Sequence, residues 1–270
     1  MINFPNAKIN IGLNITEKRP DGFHNIETIF YPINLSDILE IKASENNFTF
    51  TSTGIHVDDE KNINNICIKA YNLLKKHYSL PPVNMHLHKN IPIGAGLGGG
   101  SSDAAFTLKM LNSIIKLDLS EAELMKIAEN AGSDCPFFIL NKPSYATEKG
   151  NVLIPANIVL KGYFLVLVYP LIHVNTAAAY QKIIPQRSSV NLNEQIKQPV
   201  ETWKESIKND FEQVIFNEYP EIKAIKEQLY KSGAVYASMS GSGSSVYGLF
   251  KNEINFKSIF SKYFIWTEWL

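Results

Sequence analysis

Hydrophobic and polar positions alternate strictly near the start of the chain. Ala7, Ile9, Ile11, Leu13 and Ile15 share one side, and Lys8, Asn10, Gly12 and Asn14 the other. A period of two predicts a strand with one buried face. Pro20-Asp21-Gly22 is a turn signal, so a hairpin to a strand at 26–33 is expected, with short strands at 38–42 and 48–51. Ile63, Ile66, Ala70, Leu73 and Leu74 have the spacing of a helix face. Val83, Met85 and Leu87 restore the alternation and predict a strand that runs into Pro92 and a cluster of glycines.

Beyond the glycines, residues 101–115 read as a helix. Ser120 and Glu123 form a capping box that opens the next helix, which stops at Gly132. Residues 136–140 are apolar and expected in the core, and 144–155, with Gly150 and Pro155, is expected to join two domains. Then come a strand at 163–169, a helix at 175–184, a polar loop at 186–199, helices at 209–216 and 220–231, and strands at 234–239 and 246–250. Strands and helices mixed without a regular βαβ beat point to the α+β class.

Composition narrows the partners. The 270 residues are 45% hydrophobic, enough for a sizeable core. Lys+Arg and Asp+Glu balance at 26 each. Zero net charge gives no electrostatic case for nucleic acid or an anionic membrane, so phosphate binding has to be local. The N-terminus lacks the cationic-then-apolar pattern of a signal peptide, and no apolar run approaches membrane length, so a cytoplasmic protein is expected. Two cysteines, Cys67 and Cys135, are too few for a disulfide framework.

The segment Pro92-Ile93-Gly94-Ala95-Gly96-Leu97-Gly98-Gly99-Gly100-Ser101-Ser102-Asp103 is the most informative. Glycines let backbone approach a ligand closely, and the helix that follows directs free N–H groups and its dipole back into the loop. That combination suits a polyphosphate. Either Ser101 or Ser102 could bond phosphate or touch Mg²⁺. A Walker loop needs a lysine where Gly100 stands. Gly94, Gly96 and Gly99 satisfy the dinucleotide pattern, but the acids some twenty residues on, Glu121 and Glu123, open a helix instead of closing a strand. His86 and His88, two apart on one strand, lack a third metal ligand and read as surface histidines. Cys135 lies among apolar residues and reads as a buried, unreactive thiol.

The glycine segment resembles the second motif, P-x-G-x-G-L-G-S/G-S-S, of the galactokinase–homoserine kinase–mevalonate kinase–phosphomevalonate kinase (GHMP) superfamily. Asn6-Ala7-Lys8-Ile9-Asn10-Ile11 resembles its first motif, with Asn6 in place of proline, and residues 239–248, Met-Ser-Gly-Ser-Gly-Ser-Ser-Val-Tyr-Gly, resemble its third. Gly132-Ser133-Asp134-Cys135-Pro136-Phe137-Phe138 is similar to the family's G-A-D-V-P-F-F segment, with Ser133 and Cys135 as departures. The resemblance implies a catalytic pair: Asp134 as the base toward an alcohol and Lys8 as the cation that steadies developing charge. Taken alone, Asp134 reads as a turn cap and Lys8 as a solvated strand lysine.

Arg19-Pro20-Asp21-Gly22-Phe23-His24-Asn25-Ile26 resembles the R-x-D-G-Y/F-H-x-L/I hairpin of one branch, whose substrate is a cytidine-diphosphate-linked methylerythritol of the non-mevalonate isoprenoid route. By that resemblance Phe23, His24, Thr176 and Tyr180 form the cytidine site and Asn10 contacts substrate. Asn65, Ile66 and Lys89 line the adenine pocket, residues 92–103 hold the triphosphate, and Ser102 meets the metal. The implied fold has two domains. The first, 1–150, is an α+β ATP-binding domain; the second, 151–270, is a smaller ferredoxin-like α/β sandwich. The implied activity is ATP- and Mg²⁺-dependent phosphorylation of a small-molecule alcohol by a monomer or weak homodimer, with no nucleic-acid or membrane partner. Homoserine- or mevalonate-type kinases and a non-catalytic nucleotide-binding regulator are the alternatives.

Overall fold

A computed structural model describes residues 1–55, 65–187 and 191–270. Along the chain run β1 (Ile2–Asn3), β2 (Asn6–Lys18), β3 (His24–Ser36), β4 (Ile38–Ala43), β5 (Thr49–Gly54), α1 (Ile66–Lys75), β6 (Val83–Lys89), α2 (Gly99–Ile115), α3 (Glu121–Glu129) and α4 (Cys135–Leu140). Next come β7 (Ser144–Thr147), β8 (Val152–Pro155), β9 (Phe164–Tyr169), α5 (Thr176–Lys182), α6 (Leu192–Gln195) and α7 (Trp203–Ser206). The chain ends with α8 (Phe211–Glu218), α9 (Pro220–Lys231), β10 (Tyr236–Met239), β11 (Val246–Phe250) and β12 (Phe264–Trp269).

The chain divides into two compact units that interleave in sequence. Unit 1 comprises Met1–Ala7, Asn34–Ile93 and Gly98–Lys142; unit 2 comprises Lys8–Ile33, Gly94–Leu97 and Pro143–Leu270. Unit 1 carries a sheet ordered β1-β4-β6-β5, antiparallel except for the parallel β5–β6 pair, and helices α1 to α4. Unit 2 carries the antiparallel sheet β10-β11-β9-β12. Its central strand β9, Phe-Leu-Val-Leu-Val-Tyr, is buried on both faces, as a continuous apolar run demands. The core around it gathers Val166, Val168, Ile222, Ile225, Leu229 and Phe250 from the strands and from α9. The third sheet has the order β2-β3-β7-β8.

Three expectations change. The alternation predicts one wet face for strand β2, yet Lys8 and Asn10 are buried like their neighbours Ile9 and Ile11. The polar side is covered: a Cβ at Gly12 would lie 2.7 Å from Leu192 and 2.9 Å from Ile207. The stretch 144–155 is a hairpin, β7–β8, not an open connection. In the polar loop 186–199, Asn191 caps the short helix α6, while residues 188–190 lie outside the described residues, as does Ile63 of the predicted helix face. The final strand β12 was not expected. The Ser120–Glu123 capping box is present as read.

Candidate active site

In unit 2, Lys8 and Asn10 project from the same side of β2. The Lys8 ammonium donates to the side-chain oxygen of Asn10 and, at 3.2 Å, to the carbonyl of Gly96, with the Phe30 ring 5.1 Å away. The Asn10 amide donates to Thr28 Oγ1 at 2.9 Å. The Lys8 backbone N–H donates to the Leu97 carbonyl at 3.0 Å. The first motif is thus tied to loop residues 94–97.

The third motif joins the same cluster. Ser240 Oγ donates to the Gly96 carbonyl at 2.8 Å and accepts the Asn10 N–H at 3.2 Å. The Ser245 N–H reaches the Ala95 carbonyl at 3.2 Å, and the Tyr247 hydroxyl reaches the Asn10 carbonyl at 2.8 Å. Gly96 has φ +79°, and a Cβ there would lie 2.1 Å from the Ser240 carbonyl oxygen. Only glycine permits that approach.

In unit 1, α2 opens with Gly98 as a left-handed N-cap, φ 71°, with no side-chain cap and no acid in the first turn. A helix start left in this state suits an anion. Ser102 Oγ is fully buried and lacks a hydrogen-bond partner, as does Asp103 Oδ1. The Ser101 hydroxyl lies against the Cys135 thiol. Beneath the loop, Lys89 pairs with Asp37 and, at 2.8 Å, with Asp103. Asp37 Oδ1 also accepts the N–H groups of Asn90 at 2.6 Å and Ile91 at 2.9 Å. Burial works against the Lys89 charge, but Asp103 and Asp37 outweigh it and hold its pKa above the ordinary range. Burial drives the Asp103 carboxyl well above its ordinary value; Lys89 opposes this and Asp37 adds to it.

Asp134, half-buried in unit 1, stands at the N-cap position of α4 without a side-chain capping hydrogen bond. Burial pushes the neighbouring Cys135 thiol up to about 12, in keeping with an inert side chain. Asn65 caps α1, its side-chain oxygen accepting the Cys67 N–H at 2.9 Å, and Ile66 lies 3.8 Å from where a Gly100 Cβ would sit. The side chains of Asn65 and Lys89 therefore have structural partners of their own.

Back in unit 2, the hairpin is stiffened by Asp21, whose Oδ1 accepts the Phe23 N–H at 3.1 Å and whose Oδ2 pairs with Arg19 at 3.1 Å. Phe23 is 57% exposed, with the Lys149 ammonium 5.2 Å from its ring centre. His24 stacks on Tyr180 at 4.9 Å and 18°, and Tyr180 meets Phe211 edge-on at 4.8 Å. Burial, helped by Lys18, lowers the His24 pKa, which favours the neutral imidazole. Thr176 Oγ1 and Ser242 Oγ lie 2.8 Å apart, linking α5 to the third motif.

Among the described residues no group of three or more His, Cys, Asp or Glu could hold a metal ion, and no helix is long and apolar enough to cross a membrane. His86 and His88 share the Thr53 hydroxyl, at 2.9 and 2.8 Å. The unpartnered Ser102 hydroxyl fits a Mg²⁺ held mostly by phosphate oxygens and water, the habit of that ion. Asp37 and Asn209, both buried and rich in hydrogen bonds, were missed by sequence reasoning. Asp37 left one signal, a lone acid between two apolar strands; Asn209 left none, since the carbonyls it serves lie thirty or more residues away.

The family model described as GHMP kinases N terminal domain matches residues 65–142, and that described as GHMP kinases C terminal matches 192–264. The chain is 53% identical over 268 residues to the 4-diphosphocytidyl-2-C-methyl-D-erythritol kinase of Parabacteroides distasonis, covering 98% of each. It is 55% identical over 252 residues to the protein of that name from Azobacteroides pseudotrichonymphae, covering 93% of this chain and 94% of that one. Among solved structures, a 4-(cytidine 5'-diphospho)-2C-methyl-D-erythritol kinase superposes with a TM-score of 0.83 at 27% identity, covering 99% of this chain and 98% of that one.

Proposed function

Because this chain belongs to the GHMP kinases, whose two-domain α+β fold it has, we infer that it transfers the γ-phosphoryl group of ATP to the 2-hydroxyl of 4-diphosphocytidyl-2-C-methyl-D-erythritol, in the methylerythritol phosphate route to isoprenoid precursors. Full-length likeness to kinases of that name carries the reading. The aromatic wall formed by His24 and Tyr180, beside exposed Phe23, supports it, since it suits a flat heterocycle.

Each residue then has a role. Asp134 takes the proton of the attacking hydroxyl, a contribution worth about 10²–10⁴-fold. Lys8 steadies the charge that develops on the transferring group. The N–H groups of residues 94–102 and the start of α2 cradle the triphosphate. Mg²⁺, held in part by Ser102, supplies charge neutralisation when bound. Phe23, His24 and Tyr180 grip the cytosine, with Thr176 and Asn10 along the substrate, while Asn65, Ile66 and Lys89 border the adenine. Domains at 1–150 and 151–270, a cytoplasmic setting and a monomer or weak homodimer complete the reading.

The test is ADP release by the purified protein with Mg-ATP and, in turn, the cytidylated erythritol, homoserine and mevalonate. Turnover with the first alone is expected. Turnover with another alcohol alone would overturn the substrate assignment but not the kinase one; nucleotide binding without turnover would favour a regulator.

A further inference from the structure

The two glycine-rich segments of unit 2 meet at Ser240, and a residue from outside every motif holds that turn in place. Asn209 is 3% exposed. Its side-chain amide donates one proton to the Met239 carbonyl at 2.8 Å and the other to the Gly241 carbonyl at 2.9 Å. Its side-chain oxygen accepts the Phe211 N–H at 3.0 Å. This pattern fixes the amide orientation, because a flipped group would set its oxygen against two carbonyls and its NH₂ against an N–H. The backbone beneath is fixed too: the Leu13 N–H donates to the Lys208 carbonyl at 2.9 Å and the Asp210 N–H to the Leu13 carbonyl at 2.8 Å.

Glu212 braces the turn from the strand side. Its Oε1 accepts the Met239 N–H at 2.9 Å, and its Oε2 accepts the Lys226 ammonium at 2.6 Å. Residues 239–241 are therefore gripped on both sides, which accounts for buried backbone groups that a glycine turn would otherwise leave unpaired. Between the two gripped carbonyls lies Ser240, whose hydroxyl meets the Gly96 carbonyl and the Asn10 N–H. That Gly96 oxygen also accepts the Lys8 ammonium.

We propose that Asn209 is a positioning residue for phosphoryl transfer, setting Ser240 and, through it, the Gly96 carbonyl and the Asn10 backbone against which Lys8 is aligned. The inference rests on Lys8 acting in the reaction as described above. Asn209 touches no reacting group; it acts through the Met239 and Gly241 carbonyls that flank Ser240, and from Ser240 through the Gly96 carbonyl to Lys8. A displacement of about 1 Å in such an arrangement can cost on the order of 10²-fold in rate.

The test is a cycle on the full-length enzyme with Asn209→Ala, Ser240→Ala and the double variant. A tenfold or greater loss of kcat is expected in each single variant, with KM for ATP within about twofold of wild type. If Asn209 acts through Ser240, the double variant is no worse than about twofold below the weaker single one. Losses that multiply, or a wild-type kcat in Asn209→Ala, would overturn the proposal. If Asn209→Ala fails to fold, Asn209→Asp replaces it; this keeps the volume and the acceptor for Phe211 but lacks both donors, and the same two outcomes decide. Amide exchange gives a readout independent of turnover: the Asn10 and Ser245 N–H groups should exchange at least tenfold faster in Asn209→Ala, and unchanged protection would overturn the proposal. Wild-type turnover in the same assays tests the functional reading separately, so failure of one is not failure of the other.

Discussion

Ser240 and Lys8 share a single acceptor: the carbonyl oxygen of Gly96 takes the serine hydroxyl at 2.8 Å and the lysine ammonium at 3.2 Å. One oxygen of the phosphate loop thereby links the first and third motifs. Lys8→Met keeps an unbranched apolar side chain but deletes the charge beside Phe30. We expect kcat to fall about a hundredfold or more while the protein stays folded, and Asp134→Asn to cost about 10²–10⁴-fold. Steady-state kinetics and circular dichroism check both. Wild-type turnover in Asp134→Asn would remove it as the base.

Gly96→Ala is expected to abolish measurable activity and lower the melting temperature. Its φ of +79° is strained for an L side chain, and the added methyl meets the Ser240 carbonyl at 2.1 Å, a backbone atom that cannot swing aside. Gly22→Ala makes the comparison informative. Its φ is also positive, at +86°, but nothing lies within 4 Å, so it should suffer the backbone strain alone. Equal effects in the two variants would deny the steric half of this account.

The buried Asp37–Lys89–Asp103 group should show itself in the pH dependence of stability. A carboxyl whose pKa is raised on folding binds its proton more tightly in the folded than in the unfolded chain. Asp103 therefore stabilises the fold in acid, and that contribution fades as pH climbs from its unfolded value near 3.8 toward its folded one. Asp103→Asn should flatten this part of the profile in urea unfolding series. Asp37→Asn removes one charge from a buried pair and should cost about 3–5 kcal/mol. An unaltered slope in Asp103→Asn would contradict the assignment.

Both cysteines should resist alkylation in the native protein. Burial raises both thiols, Cys135 to about 12, so almost no thiolate exists at neutral pH. Iodoacetamide at pH 8 should leave activity intact, with two equivalents incorporated only after denaturation. Modification of folded protein, followed by mass spectrometry, would show the pocket around Cys135 to be open.

His24→Ala and Tyr180→Ala should each raise KM for the cytidylated alcohol about 5- to 150-fold, from the loss of about 1–3 kcal/mol of stacking, without changing KM for ATP. Because His24 titrates below the ordinary histidine value, that KM should be flat at neutral pH and shift only in more acidic buffer. Equal changes in both KM values would point to general disruption of unit 2.

Local signals in the sequence carried much of this fold. The alternation of residues 7–15 and the capping box at Ser120 depend on near neighbours and formed where expected, while the helix expected from Ser101 begins two residues earlier, at Gly99. The polar face of β2 misled, because its cover, Leu192 and Ile207, comes from far along the chain. The same reason hid Asn209, Glu212 and Asp37. A buried polar side chain looks like a solvated one until its backbone partners are placed, and those partners carry no side-chain signature. Strand β12 has a mixed, half-exposed pattern that period alone does not separate from a loop.

The interleaving of the two units bears on how the protein comes into being. Unit 2 begins with Lys8–Ile33 but is completed only by Pro143–Leu270. On a ribosome adding about 5–20 residues per second, the newborn β2 strand waits several seconds while all of unit 1 is made. During that wait Leu13 and Ile15, which pack in one core with Val166, Val168 and Phe211, lack that part of their native cover. Splitting the gene near residue 142 would prolong that exposure indefinitely, so the halves should accumulate only when made together.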